Sequence, residues 1–238
     1  NNKGIGLPKT AMSMVFNLQD TFKLYEDSSF STFTDYKQFW IAGMQLGPVY
    51  VENYGSSKMI VVQYKTIGAF LFLPHPLHLF TDGFVDLGDL FHQDAEDTWQ
   101  QLQEAQTIKE KFLITELFLY KKLLKNTMPH GKLLAASSQL LNNADGQSIE
   151  KICRKIGVSR KHLNTLFKEY TGVSTKSMQL LFRFQYLLKK MADNTDIHLT
   201  DLAYDMDYTD MAHFSNDFKR FTGIHPTAYC KLVKETPS

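Results

Sequence analysis

From residue 11 to about residue 73 the chain alternates short apolar runs with turn-forming residues. The runs are AMSMVFNLQ (11–19), FKLYE (22–26), KQFWIAGMQ (37–45), PVYVENYG (48–55) and KMIVVQYKTIGAFLFL (58–73). They are rich in Val, Ile, Phe and Tyr, and Asp, Ser, Gly and Pro separate them. That pattern predicts a series of strands in an antiparallel sandwich or barrel. The last run is too long for one strand, so Gly68 is expected to split it into two strands or to carry a bulge. From about Ala95 the period changes. Trp99, Leu102, Ala105, Ile108, Phe112, Thr115, Leu119 and Leu123 recur at three and four residues. This predicts a single amphipathic helix of about 30 residues. Leu113, Ile114, Leu117, Phe118 and Leu124 widen its apolar face. Two readings stay open: a helix deep in its own domain, or one whose second face a partner chain covers.

Pro129 and Gly131, in TMPHGK, punctuate the chain and divide it into residues 1–130 and 131–238. Everything beyond reads helical. LLAASSQLL (133–141) is a short helix stopped by NNADG. A repeat then follows: IEKICRKIGVSRKHLNTLFKEYTG, from Ile149 to Gly172, and LTDLAYDMDYTDMAHFSNDFKRFTG, from Leu199 to Gly223. In the first copy Ser148 can cap a helix carrying the stripe Ile149, Ile152, Cys153 and Ile156. Gly157 supplies a turn, because it alone takes positive φ cheaply. Ser159 caps a second helix with Leu163, Leu166, Phe167 and Tyr170 on its apolar face, and Gly172 ends it. Helix, tight turn, helix is the helix-turn-helix arrangement. The second copy repeats it with Leu199, Leu202, Ala203 and Met206, a turn at Asp207, and then Phe214, Phe218 and Phe221. STKSMQLLFRFQYLLKKMADN (174–194) lies between them with no Pro or Gly inside. It predicts a connecting helix of about 18 residues, or about 27 Å. Two units on such a rod would set their second helices about 34 Å apart, one turn of DNA.

Charge sharpens this picture. The net charge is only +1, but residues 148–190 hold 10 Lys/Arg against 2 Asp/Glu, while residues 191–238 hold 4 against 8. A basic block beside an acidic one points to a polyanionic partner for the first. Charged residues make up 21% of the chain, near the ordinary globular share, so wholesale disorder is not expected. No run approaches the 18 or so apolar residues that a membrane span requires. The two cysteines, Cys153 and Cys230, stand far apart and read as reduced thiols of a cytoplasmic protein.

The closing stretch carries a resemblance. Tyr208, Asp210, Phe214, Phe218, Lys219, Gly223, Pro226 and Tyr229 fall in order on a family pattern, and Arg183, Phe184 and Gln185 match its connecting helix. With the paired units, residues of about 132–232 resemble the DNA-binding domain of AraC/XylS-type transcription regulators. Asp207 departs from the family's usual Gly, and Cys230 from its frequent Arg. The resemblance implies an α+β chain: a β-rich N-terminal sensing and dimerisation domain ending in a long helix, then an all-α double helix-turn-helix domain. It implies duplex DNA as partner, with a small-molecule effector and a homodimer among the expectations. In the first unit the exposed face of the second helix offers Arg160, Lys161, Asn164, Thr165 and Lys168. Asn pairs with adenine and Arg or Lys with guanine; the others would hold phosphates. The equivalent face in the second unit is Met211, Ala212, Ser215, Asn216 and Lys219. It is poorer in cations, and Asp201, Asp205, Asp207, Asp210 and Asp217 lie close by. The first unit is therefore expected to supply most affinity, and RNA polymerase is a candidate partner for the acidic second one. Asp210 has a simpler alternative role as a helix cap.

Two rival readings stand beside this one. His75 and His78, three apart in LPHPLHLF, with His92 downstream, would suit a metal in a cupin-like barrel enzyme. No nucleophile elbow, phosphate loop or paired Cys accompanies them, so no enzyme and no cofactor is expected. The second rival is a ligand-binding or protein-interaction module, against which the basic block argues. Phe70, Phe72, Phe80, Phe84 and Phe91 would either line an apolar pocket or simply pack in the core.

Overall fold

The computed structural model describes residues 2–53, 55, 57–73, 76–123, 131–142, 148–193, 198–206 and 208–235. The strands run β1 Asn2–Gly6, β2 Ser13–Asn17, β3 Phe22–Tyr25, β4 Phe33–Tyr36, β5 Phe39–Ala42, β6 Val49–Asn53, β7 Met59–Gln63 and β8 Phe84–Asp86. They form two four-stranded sheets, ordered β1-β6-β3-β4 and β7-β2-β5-β8, with antiparallel pairing throughout. Phe22 of the first sheet stacks on Trp40 of the second at 5.2 Å. The other face of the second sheet is covered by helices. Phe16 of β2 meets Phe118 edge-on at 5.6 Å, and the Trp99 indole donates to the Asn17 carbonyl at 2.6 Å. Both faces of β2 and β5 are thus buried, which is why their sequences read as apolar runs rather than alternating patterns.

The long 58–73 run breaks, but not into two strands. After β7 it turns into a 3-10 turn, Gly68–Leu71, and a second one follows at Leu77–Phe80. The five phenylalanines pack separately instead of converging on a pocket. Phe80 is buried, Phe91 meets Phe118, Phe72 meets Tyr64, Phe84 meets Tyr36 and Phe70 lies 4.3 Å from Tyr170.

The helix expected from about Ala95 is two pieces, α2 Gln93–Glu104 and α3 Ile108–Lys122, and a short α1, Leu87–Phe91, precedes them. The break at residues 105–107 has a clear cause. Thr107 and Glu110 form a reciprocal capping box that starts α3 afresh. The buried Lys111 ammonium donates to the Leu102 and Ala105 carbonyls, satisfying the end of α2. Restarting the helix also rotates its faces. Lys111, Thr115 and Phe118 are buried, whereas Ile108 is 71% and Tyr120 79% exposed, and Phe112, Leu113 and Leu117, which lie between those two in the chain, are each more than half exposed.

The helical part comprises α4 Gly131–Asn142, α5 Ile149–Ile156, α6 Arg160–Thr171, α7 Thr175–Asp193, α8 Leu199–Asp205, α9 Met211–Thr222 and α10 Pro226–Glu235. Pro129, Asp207, the Asn143–Gly146 portion of NNADG and His75 lie outside the described residues, while Gly131 opens α4. The stripe residues Ile152, Leu163, Phe167, Met178, Leu181, Phe184, Leu202, Phe214 and Phe218 build one core.

Candidate nucleic-acid interface

Each helix-turn-helix unit is assembled by local chemistry visible in the chain. Ser148 Oγ accepts from Lys151 N to start α5, and Gly157 ends it at φ 65°. Ser159 Oγ accepts from His162 N to start α6, which ends at Gly172 with φ 85°. Asp210 is the cap of α9, its carboxylate accepting from His213 N at 2.7 Å, and Gly223 closes that helix at φ 76°. The backbone bond from His213 holds the Asp210 carboxyl below its ordinary value. α7 has 19 residues and so spans about 28 Å. The Arg183 guanidinium of this rod donates to the Met206 carbonyl at the end of α8 and lies 5.0 Å over the Tyr208 ring. Its role is to hold the second unit to the rod. Burial beside Asp217 pushes the Tyr208 hydroxyl up to about 12.

On α6, Arg160, Lys161, Thr165 and Lys168 are exposed and Asn164 is half-buried. Arg160 pairs with Glu150 at 2.8 Å, both side chains being largely in solvent, where such a pair is readily exchanged for another partner. Asn164 Oδ1 accepts from Thr175 N at 3.2 Å, so in the free chain this side chain ties α6 to the start of α7. Thr165 Oγ1 donates back to the Lys161 carbonyl. On α9, Ala212, Asn216 and Lys219 are exposed, while Met211 and Ser215 are half-buried, Met211 packing against the core. Exposed cationic or ionisable groups missed by sequence reasoning are His162 on α6, Lys176 on α7, and His213 and Arg220 on α9. His213 lies 3.7 Å from Asp217. Of the five acidic residues around the second unit, Asp201 and Asp205 stand exposed on α8, Asp210 is a cap, and Asp217 is drawn towards His213.

The strand-rich part touches the far end of α6. The Thr81 hydroxyl donates to the Gly172 carbonyl at 2.9 Å, Phe70 lies against Tyr170, and the Gln185 amide of α7 donates to the Pro8 carbonyl. Pro76, His78, Thr81, Thr165, Lys168, Glu169 and Gly172 line an open groove of 570 Å³ between the two parts. The beginning of α6 points away from this contact, and Thr165 and Lys168 stand exposed at its edge.

Residues 133–231 match the family model described as a helix-turn-helix domain. The C-terminal part of the chain is an AraC-type double helix-turn-helix domain. The chain is 28% identical over 100 residues to the raffinose operon transcriptional regulatory protein RafR of Pediococcus pentosaceus, covering 42% of this chain and 36% of that protein. It is 23% identical over 143 residues to the Msm operon regulatory protein of Streptococcus mutans, covering 54% and 50%. The chain thus spans between about a third and a half of the length of the curated relatives it matches. The fatty-acid-bound structure of ToxT from Vibrio cholerae superposes with a TM-score of 0.54 at 13% identity, covering 100% of this chain and 93% of that one. A second ToxT crystal form gives the same TM-score at 12% identity, covering 97% and 98%. The likeness extends the shared fold to the strand-rich part that precedes the AraC-type domain. For the metal reading, the described residues contain no group of three His, Cys, Asp or Glu able to hold an ion, and His75 falls outside them.

Proposed function

We propose that this chain is a sequence-specific DNA-binding transcription regulator that reads two successive major grooves with α6 and α9. The observation that carries the reading is the pair of helix-turn-helix units, whose second helices α6 and α9 are each capped by a side-chain oxygen and closed by a left-handed glycine, joined by the single rod α7. Arg160, Lys161, Asn164, Thr165 and Lys168 face one groove, and Met211, Ala212, Ser215, Asn216 and Lys219 the next. The division of charge supports a dominant first unit. Binding of the whole chain to a mixed-sequence duplex tests the reading: affinity should fall linearly with the logarithm of salt, as counterion release requires. Salt-insensitive binding, or none at low salt, favours a protein-interaction module instead.

The rest of the reading follows from the same parts. The exposed apolar face of α3, Ile108, Phe112, Leu113, Leu117 and Tyr120, suits a second copy of the chain. A small-molecule effector is expected at the strand-rich part. The ToxT comparison structure carries an unsaturated fatty acid, and a ligand that favours one disposition of the two parts over another would shift DNA binding. Asp201 and Asp205 offer an acidic surface to RNA polymerase. Loss of activation with intact DNA binding on Asp201→Ala supports that contact, and unchanged activation removes it. A non-enzymatic, cytoplasmic role completes the reading, and Cys153 and Cys230 form no disulfide. Among the described residues, no helix is long and apolar enough to cross a membrane.

A further inference from the structure

We propose that the cleft where α5, α6 and α7 begin seats one phosphodiester of the duplex backbone. The proposal rests on the DNA-binding reading above and gives one phosphate its partners. The cleft has a volume of 410 Å³ and is lined by Ile149, Arg160, Lys161, Asn164, Thr175 and Lys176. Ile149 is the first residue of α5, Arg160 and Lys161 are the first two of α6, and Thr175 and Lys176 are the first two of α7. Three helix starts therefore converge, each with the partial positive charge that favours an anion. Helices normally place Asp or Glu in the first turn. α6 and α7 have none there and bring three cations instead, which repel both one another and the helix dipoles in the free chain. Glu150, in the first turn of α5, meets Arg160 in solvent, an exposed pair that a phosphate can replace. Among the described residues neither Lys161 nor Lys176 has a carboxylate partner.

Thr175 is the independent observation. It is 3% exposed, and its Oγ1 is buried with no hydrogen-bond partner. A buried hydroxyl without a partner is rare in folded chains and calls for a reason. A phosphate oxygen in the cleft that Thr175 helps to line supplies the missing acceptor. The Thr175 backbone N–H is already held by Asn164, and Ser174 Oγ accepts from Ser177 N at 3.0 Å, so the start of α7 is fixed against α6 and the cleft keeps its shape. The cleft opens beside the exposed beginning of α6, the helix assigned to the major groove. A contact at this end meets the backbone at the groove's rim, where it sets register and carries no base information.

The test uses the whole chain and a mixed-sequence duplex. Thr175→Val keeps the shape and removes the hydroxyl. It is expected to leave the melting temperature unchanged or raised, since nothing pairs with the hydroxyl in the free chain, and to weaken binding about tenfold. Lys176→Gln should lower the slope of log affinity against log salt by about 0.9, one phosphate's worth, whereas Lys65→Gln, in the loop after β7, should leave it unchanged. Wild-type affinity and slope in both cleft variants, with Lys168→Ala, on α6 outside the cleft, still weakened, would overturn the proposal and leave the DNA-binding reading standing. A wild-type chain that binds no duplex at low salt overturns both. Inorganic phosphate that stabilises the wild type but not Thr175→Val, with the DNA titrations unaffected, assigns the cleft to a free anion and overturns the DNA assignment.

Discussion

Three glycines end three of the helices in the two units, and substituting them separately measures how the strand-rich part is docked. Gly157, Gly172 and Gly223 have φ of 65°, 85° and 76°. An alanine at any of them has the same left-handed strain, about 1–2 kcal/mol. Their surroundings differ. A Cβ at Gly157 meets nothing within 4 Å, whereas at Gly172 it would lie 2.6 Å from the Leu77 carbonyl oxygen and 2.9 Å from Thr81 Oγ1. The carbonyl belongs to the backbone of the strand-rich part and cannot rotate aside. Overpacking of this kind costs about a further 1–3 kcal/mol, so Gly172→Ala should lose about 2–5 kcal/mol in all. The alternative open to the variant is to undock the two parts and lose the Thr81 and Phe70 contacts. Urea unfolding distinguishes these outcomes, because both tryptophans, Trp40 and Trp99, lie in the strand-rich part while far-UV circular dichroism follows the helices. Gly157→Ala should shift both probes together by the strain alone. Gly172→Ala should shift further, with the two transitions drawing apart. Equal losses and coincident transitions in the two variants would refute the docked arrangement.

Other consequences are open to direct measurement. The Asp210 carboxyl is lowered below its ordinary 3.8 by the backbone bond from His213. The cap therefore stabilises α9 above that pH and is lost as pH falls through the folded value; Asp210→Asn, which caps without titrating, should flatten the acid limb of the stability profile. Lys161→Ala is expected to weaken specific DNA binding more than Asn216→Ala, each by about 1–3 kcal/mol if its side chain reads a base; the reverse order would refute the dominance of the first unit. Leu117→Glu places a charge on the exposed face of α3 and should convert a sedimenting dimer to monomer while leaving the thermal transition of the monomer unchanged.

How far the chain could be read in advance depended on whether local chemistry or distant packing decided each element. The caps at Ser148, Ser159 and Asp210 and the left-handed glycines act within a few residues, and all appear at the places their residue types announce. Strands β2, β3, β5 and β6 were legible as β-branched and aromatic runs. β1, β4 and β8 were missed because NKGIG, FTDY and FVD are short edge strands, defined by their partners and not by their own pattern. Apolar periodicity runs unbroken through residues 105–107, so α2 and α3 look like one helix in the sequence. The Thr-x-x-Glu of Thr107 and Glu110 was the available signal, and a lysine that buries itself to serve carbonyls was not anticipated from a pattern that treats Lys as polar. At the interface, the exposed face of α6 was legible from its period. The engagement of Asn164 with Thr175, and the arrival of Lys176 beside Arg160, were not, since they depend on how α7 meets α6 after the turn at Gly172.

The central claim is that two helices of one chain enter consecutive grooves. Selecting duplexes from a random library with the purified chain, and sequencing those retained, tests it most directly. The account predicts two specified blocks whose centres lie about 10–10.5 base pairs apart, the more strongly specified one lost on Lys161→Ala. A single block, or two blocks whose spacing varies freely among the retained duplexes, would contradict a rigid rod between α6 and α9.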